Sequence, residues 1–300
     1  MISKLEKAHL LSTLEDARQV IDLDAKRRVV VTKSDGSSLY ISRDIAAALH
    51  RLQSFQPAKM FYVVEHGQSN HFINLFEIVS KVEATDCQFV HVMFGRIQGM
   101  STRKGTAVML SDILQEAKER MLEKMEATMT TKVQEPGEKE EVAEILGISA
   151  LLINDLKQKK TQNYKFSWND ALKTTGNSGI RLQYSHSRLH SLINENSIYE
   201  IQDWAHLNFE LLCEPEAAQL ILRLAQFEEA LAETYRDLQP SILVRYLFAL
   251  CDDTSKAIKV LQVKDSPEEI AALRLALFQV AKNVLSYGMS ILGLTPLNKM

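Results

Sequence analysis

A short loop with two glycines, two hydroxyls and two adjacent cations is the segment best suited to chemistry. Residues 99–105 read Gly-Met-Ser-Thr-Arg-Lys-Gly and follow an apolar, strand-like run over 87–95. Glycines give such a loop backbone freedom, and its hydroxyls and cations can bind and neutralise a polyphosphate. Fixed cations would also stabilise the charge that builds up on a leaving pyrophosphate. The alternative is a basic surface turn without a ligand.

Two further segments place polar side chains near the ends of predicted elements. Tyr40 and Asp44 are four residues apart, across a predicted strand end and the following helix start. An acidic group beside an aromatic ring suits a cation such as guanidinium. Gln68 and His71 come after a strand-like run over 60–64 and open a helix. In open α/β sheets ligands bind at this position, although an ordinary turn and helix start explain both segments equally simply.

A helical segment over 182–190 mixes aromatic and cationic side chains. Tyr184, His186 and Arg188 are the types that an RNA-facing surface would carry. The alternative is a helix that packs its leucines inward and leaves its polar groups in solvent. From Arg274 to Met300 there are three cations and no acidic side chain, so the final segment is locally basic.

The first part of the chain alternates strand-like and helix-like patterns, which indicates a layered α/β unit with two or three parallel strands. Strands are predicted over 28–32, 38–42, 60–64 and 87–95, and helices from Arg43 and over 71–82. The run over 60–64 is continuously apolar, which is typical of a strand buried on both faces. We place the boundary of this unit at residues 1–130.

The residue pattern of the second part of the chain predicts helix almost throughout. A helix should begin at about Ser111, and the polar stretch 128–141 should be a loop or linker. In the last helix, Ser266-Pro-Glu-Glu269 predicts a capping box with proline at the first helical position, and Gly293 predicts the end. We expect an α-helical bundle over 138–300.

Composition describes an ordinary globular chain of 300 residues with a net charge of −3, so any nucleic acid must bind local patches. The sequence contains no apolar run of the roughly 20 residues that span a membrane, and the N-terminal residues show no import signal. Three distant cysteines predict neither a zinc knuckle nor a disulfide framework. His66 and His71 are spaced poorly for one helix face, so no metal site is expected.

Taken together and in this order, six segments from about residue 28 to residue 300 resemble the class I arginyl-tRNA synthetases, most closely the mitochondrial type of animals. The segments are Ser34-Asp-Gly-Ser-Ser-Leu-Tyr-Ile-Ser-Arg-Asp-Ile-Ala-Ala47, Gly67-Gln-Ser-Asn-His-Phe72, Phe94-Gly-Arg-Ile-Gln-Gly-Met-Ser-Thr-Arg-Lys-Gly105, Tyr164-Lys-Phe-Ser-Trp168, Leu182-Gln-Tyr-Ser-His-Ser-Arg-Leu-His190 and Leu292-Gly-Leu-Thr-Pro-Leu-Asn-Lys-Met300. The resemblance implies the second half of a Rossmann-type catalytic domain, followed by a DALR-type helical anticodon-binding domain. It also implies an ATP-dependent arginine–tRNA ligase that acts as a monomer in mitochondria, with arginine, tRNA(Arg) and ATP with Mg²⁺ as partners.

The resemblance assigns roles to matching positions. The arginine substrate would meet Tyr40, Asp44 and Gln68, which we expect to converge on one pocket. Residues 99–105 stand where class I synthetases have the KMSKS loop that closes on ATP. The ATP-binding residues would be His71, Gly99, Met100 and Gly105, the catalytic residues Ser101, Thr102, Arg103 and Lys104, and the tRNA-binding residues Tyr184, Arg188 and Met300.

The His-x-Gly-His signature of class I synthetases does not occur in the 300 residues. None of the eight histidines belongs to a His-x-Gly-His signature, so the chain is expected to be a truncated form, the C-terminal half of a synthetase. Two alternatives to a ligase follow. The helical part could bind tRNA without catalysis, or half a sheet could serve as a partner-binding fragment through its unpaired edges and apolar faces.

Overall fold

A computed structural model describes residues 1–99, 109–127, 135–199 and 208–300. They form two compact units, Met1–Arg96 and Ile97–Met300. The domain limits predicted from the sequence, 1–130 and 138–300, remain a prediction. The compact units divide earlier because the helix over 110–126 packs along the helix that follows it. In the described residues, no helix combines the length and the apolar character needed to cross a bilayer.

The first unit places two parallel strands and two helices beside a small antiparallel sheet. Its strands β1, β2 and β3 pair in sequence order and are antiparallel. The elements are α1 (Ile2–Lys7), β1 (Leu11–Thr13), β2 (Gln19–Asp22), β3 (Arg28–Thr32), α2 (Tyr40–Phe55), β4 (Lys59–Glu65), α3 (Ser69–Val82) and β5 (Gln88–Phe94), with a 3-10 turn at His66–Gln68.

Strands β4 and β5 form the predicted parallel pair, in register from Lys59 opposite Gln88 to Glu65 opposite Phe94. One face of the pair, including Met60, packs in a core with α2 and α3. The prediction that β4 is buried on both faces is wrong. Successive side chains alternate between faces, and Phe61 and Val63 on the other face are 45% and 65% exposed.

The predicted strand over 38–42 is also wrong, and helix α2 begins earlier than predicted. Ser38 makes one isolated bridge to Thr32, and the helix starts at Tyr40. Ser42 explains the early start, because its hydroxyl donates to the Val31 carbonyl and accepts from the Leu39 N–H at 3.1 Å. That side chain therefore satisfies one of the free N–H groups at the helix beginning.

The second unit is mainly helical, as predicted. A core of buried apolar side chains is shared mainly by its two long C-terminal helices and two earlier helices. The elements are β6 (Ile97–Gln98), α4 (Leu110–Glu126), α5 (Pro136–Leu156), β7 (Tyr164–Lys165), α6 (Trp168–Ala171), α7 (Gly179–Glu195), α8 (Pro215–Ala225), α9 (Phe227–Asp237), α10 (Pro240–Val260) and α11 (Glu268–Ile291), with 3-10 turns at Ser197–Tyr199 and Phe209–Leu211.

Two predictions for this unit need correction. Helix α5 begins at Pro136, so residues 136–141 are helical and not part of a linker. The predicted capping box of the last helix is wrong as well. The N-cap is Pro267, and the Ser266 hydroxyl instead donates to the Gln262 carbonyl. The predicted end is confirmed, because Gly293 follows α11 in the left-handed region at φ +80°.

Candidate functional site

An acidic and an imidazole side chain from two helices meet in the first unit. Asp44 lies in the second turn of α2, and His71 lies in the first turn of α3. The His71 Nε2 is 2.7 Å from the Asp44 Oδ2, and the two side chains are 25% and 44% exposed. The structure thus joins two residues that the sequence analysis assigned to different ligands, arginine and ATP.

Tyr40 and Gln68 lie one turn before Asp44 and His71, respectively. Tyr40 precedes Asp44 by four residues on α2, so both side chains leave the same face of the helix. Its side chain is 82% exposed, which leaves the ring available to a ligand. Gln68 is exposed at the N-cap position of α3, and its side chain makes no hydrogen bond to the helix. Their convergence on one bound arginine stays a prediction.

The carboxyl ends of β4 and β5 carry an ion cluster that the sequence analysis missed. The Glu65 Oε2 accepts a hydrogen bond from the Arg96 Nη2 at 3.3 Å, and the Glu65 Oε1 lies 3.2 Å from the Arg96 Nε and 3.1 Å from the His66 Nδ1. The bond from Arg96 lowers the pKa of the Glu65 carboxyl. The signal in the sequence was a charged residue directly after the apolar run over 60–64, at the edge where such sheets bind ligands.

The predicted phosphate loop lies mostly outside the described residues. Met100, Ser101, Thr102, Arg103, Lys104 and Gly105 all belong to that part. The structure does describe how the loop begins. Gly99 has a φ of +81°, and β6 just before it pairs in parallel with β7. The Phe166 N–H also donates to the Gln98 carbonyl at 2.8 Å. The loop therefore starts from a fixed point in the second unit.

The predicted RNA-facing residues of α7 lie on two different faces. Tyr184 is exposed, and Arg188, one turn later, lines a surface groove with Tyr199 and Lys264. His186 is 2% exposed, so at this residue both alternatives, an RNA-facing side chain and a polar group left in solvent, are wrong. A helix turns by about 100° per residue, which places His186 on the side opposite to Tyr184.

His186 belongs to a polar clamp that holds the end of the chain on α7. Its Nδ1 donates to the Leu297 carbonyl at 2.8 Å. The fully buried amide of Gln183 accepts from the Leu297 N–H and donates to the Thr295 carbonyl, both at 2.8 Å. Met300 packs beside Leu297 against the core between α4 and α5. The clamp therefore fixes the segment in which Met300, a predicted tRNA contact, lies.

The clamp predicts a pH-dependent stability for the second unit. Burial lowers the pKa of His186 below the 6.5 of a free imidazole. The unfolded chain therefore binds a proton more readily than the folded chain does. We expect full stability above about pH 6.5 and a progressive loss as pH falls through 6.5 towards the lowered pKa. The measurement is the urea midpoint from tryptophan fluorescence between pH 7.5 and 5.

A matched pair of variants isolates the contribution of His186. His186→Asn keeps a donor near the Nδ1 position and removes the titration, so its midpoint should depend less on pH. His50→Asn, at an exposed position of α2, should keep the wild-type profile. Nearby His190 also has a pKa lowered by burial, and its contribution remains in both variants. Equal pH profiles for His186→Asn and wild type would contradict the assignment.

Two known protein families together match most of the chain. The model described as "tRNA synthetases class I (R), catalytic domain" matches residues 1–168, and the "DALR anticodon binding domain" matches residues 182–300. A probable cytoplasmic arginine–tRNA ligase of Dictyostelium discoideum is 41% identical over 301 residues, with 99% of this chain and 50% of that protein covered. The mitochondrial arginine–tRNA ligase of Saccharomyces cerevisiae is 39% identical over 292 residues, with 95% of this chain and 45% of that protein covered.

A probable mitochondrial arginine–tRNA ligase of Homo sapiens is 39% identical over 308 residues, and 52% of its length is covered. The chain thus spans about half the length of the curated relatives it matches. Solved structures share the fold. An arginyl-tRNA synthetase from Plasmodium falciparum superposes with a TM-score of 0.83 at 24% identity, with 100% of this chain and 51% of that chain covered. The Thermus thermophilus enzyme gives 0.81 at 20% identity, with 57% of its chain covered.

Proposed function

Because the chain belongs to the class I arginyl-tRNA synthetase family, we propose that it takes part in the ATP-dependent attachment of arginine to tRNA(Arg). The observation that carries this proposal is the meeting of α2 and α3 at Asp44 and His71. These helices bring together the two segments whose residues resemble the arginine site of the family. Tyr40 and Asp44 on one face of α2 offer an aromatic ring and a carboxylate to a guanidinium.

The reaction proposed has two steps. A carboxylate oxygen of arginine attacks the α-phosphorus of ATP, and the bond to the departing pyrophosphate breaks, which gives arginyl-adenylate. A hydroxyl of the terminal tRNA ribose then attacks the arginyl carbonyl, and AMP leaves. The protein contributes mainly positioning and stabilisation of phosphate charge. Arg103 and Lys104, by family resemblance, would neutralise the pyrophosphate.

Three finer proposals accompany the reaction. Mg²⁺ would be carried by the ATP phosphates, because this ion keeps several of its waters and is usually held by substrate phosphates. A mitochondrial location is supported by the names of some relatives, whereas other relatives are named cytoplasmic. The third proposal is that the protein is a monomer, which sedimentation of the 300-residue chain tests.

We expect Asp44→Asn to weaken arginine binding by about 10- to 100-fold, because a hydrogen bond to a charged group contributes about 1.5–3 kcal/mol. The variant keeps the shape of the side chain and removes the charge that pairs with guanidinium. Isothermal titration of arginine into the 300-residue chain is the measurement. Asp35→Asn is the matched control, because Asp35 lies exposed in a turn where its oxygen accepts from the Ser37 N–H. Its arginine affinity should equal that of wild type.

Arginine-dependent exchange of pyrophosphate into ATP and tRNA binding distinguish the three candidate functions. Exchange together with tRNA binding supports the ligase. Binding of tRNA without exchange supports a non-catalytic tRNA-binding module. With neither activity, the ligase proposal fails and a partner-binding fragment remains.

A further inference from the structure

The hydrogen bond between Asp44 and His71 bears on how a guanidinium could be recognised. A carboxylate offers two oxygens in one plane, and a guanidinium pairs best when that plane faces it. The Asp44 Oδ2 is already engaged by the His71 Nε2 at 2.7 Å. The position of the imidazole therefore determines the direction of the Oδ1 and of the lone pairs that remain for a ligand.

The imidazole is itself held by the core of the first unit. The edge of the His71 ring packs against Phe72, with ring centroids 5.2 Å apart and an interplanar angle of 86°. Phe72 is 5% exposed and contacts the rings of Tyr62, Phe76 and His91. An exposed carboxylate ordinarily rotates, whereas this contact chain connects Asp44 through His71 to the buried ring of Phe72.

We propose that His71 is a positioning residue that holds the Asp44 carboxylate in the orientation that accepts the arginine guanidinium. The inference rests on the proposed function, in which arginine is the ligand of Asp44. It gives His71 a role at the arginine site in place of the ATP contact that the family resemblance implies. The Nε2 of the ring faces Asp44, so a nucleotide could reach only the Nδ1.

The test is titration of arginine and, separately, of ATP into the full 300-residue chain. His71→Ala should weaken arginine affinity about fivefold to tenfold and leave ATP affinity unchanged, as expected for the loss of one orienting hydrogen bond. His71→Gln places an amide donor near the Nε2 position and should restore arginine affinity to within about threefold. In the Asp44→Asn background, His71→Ala should have little further effect on arginine affinity.

If His71 has only a structural role, His71→Ala should weaken the binding of both arginine and ATP, or His71→Gln should fail to restore arginine affinity. Either result overturns the proposal. A loss of ATP affinity alone also overturns it and supports the nucleotide contact. If the wild type binds no arginine, the proposed function fails. Nitrogen-15 NMR spectra of His71 then still test its hydrogen bond to Asp44. Wild type should show the tautomer protonated at Nε2, and Asp44→Ala should lose that preference. The same tautomer in wild type and in Asp44→Ala would exclude the hydrogen bond between His71 and Asp44.

Discussion

Gly179→Ala is expected to destabilise the second unit by about 3 kcal/mol or more, the largest effect among the substitutions considered. Gly179 opens α7 where that helix meets α5. A Cβ built on it would overlap the Ser149 carbonyl and lie 2.9 Å from the Ala150 nitrogen. These are backbone atoms inside a helix, so no side chain can rotate away. The helices must separate, and the buried apolar contacts around them weaken.

Thermal unfolding followed by tryptophan fluorescence measures this effect, because both tryptophans lie after residue 97. We expect the melting temperature to fall by about 10 °C in a unit of this size. Gly137→Ala is the matched control. Gly137 lies in the first turn of α5, and a Cβ there meets nothing within 4 Å. Alanine should leave stability unchanged or raise it by up to about 1 kcal/mol. Equal melting temperatures for the two variants would refute the close approach of α5 and α7.

Gln183→Leu should lower the unfolding free energy by about 2–4 kcal/mol. The substitution keeps most of the side-chain volume but removes the amide that serves the Leu297 N–H and the Thr295 carbonyl. Both backbone groups would then lack their partner, and each buried unpaired group costs about 1–3 kcal/mol. The Gln183 amide also donates to the Ser149 hydroxyl at 2.8 Å, but that hydroxyl keeps its own bond to the Ile145 carbonyl when the amide is lost.

Urea unfolding at pH 7.5 measures the effect without the contribution of histidine titration. Gln115→Leu is the control, since Gln115 is exposed on α4 and bonds Glu119 in solvent. Its effect should stay within about 0.5 kcal/mol. A Gln183→Leu protein as stable as this control would show that the clamp adds nothing to stability.

Local patterns predicted those elements whose apolar residues repeat over a long enough stretch. Strand β3, the parallel pair β4 and β5, and helices α3 and α11 were all expected close to their observed positions. The failures have physical causes that lie outside the local pattern. Residues 38–42 form a short apolar run between two serines, which predicts a strand, yet the Ser42 hydroxyl bonds the Val31 carbonyl and the segment starts a helix. Such a long-range bond leaves no periodic trace in the sequence.

The same limit applies to the candidate site. Residue types and a family resemblance indicated Asp44 and His71 separately, but their hydrogen bond spans 27 positions and depends on how α2 packs on α3. The clamp was not predicted at all. His186 was expected on an exposed helix face and Gln183 drew no prediction, because the partners of both residues lie more than a hundred residues later.

That separation has a consequence for how the chain is made. Gln183 and the Thr295 carbonyl are 112 positions apart, so the ribosome adds α7 well before its partner. At about 5–20 residues per second, the amide and imidazole of α7 wait on the order of 6–20 s for the backbone groups they will bond. During that interval the nascent helix carries polar groups destined for an apolar interior. We expect these groups to remain hydrated until the C-terminal segment is made.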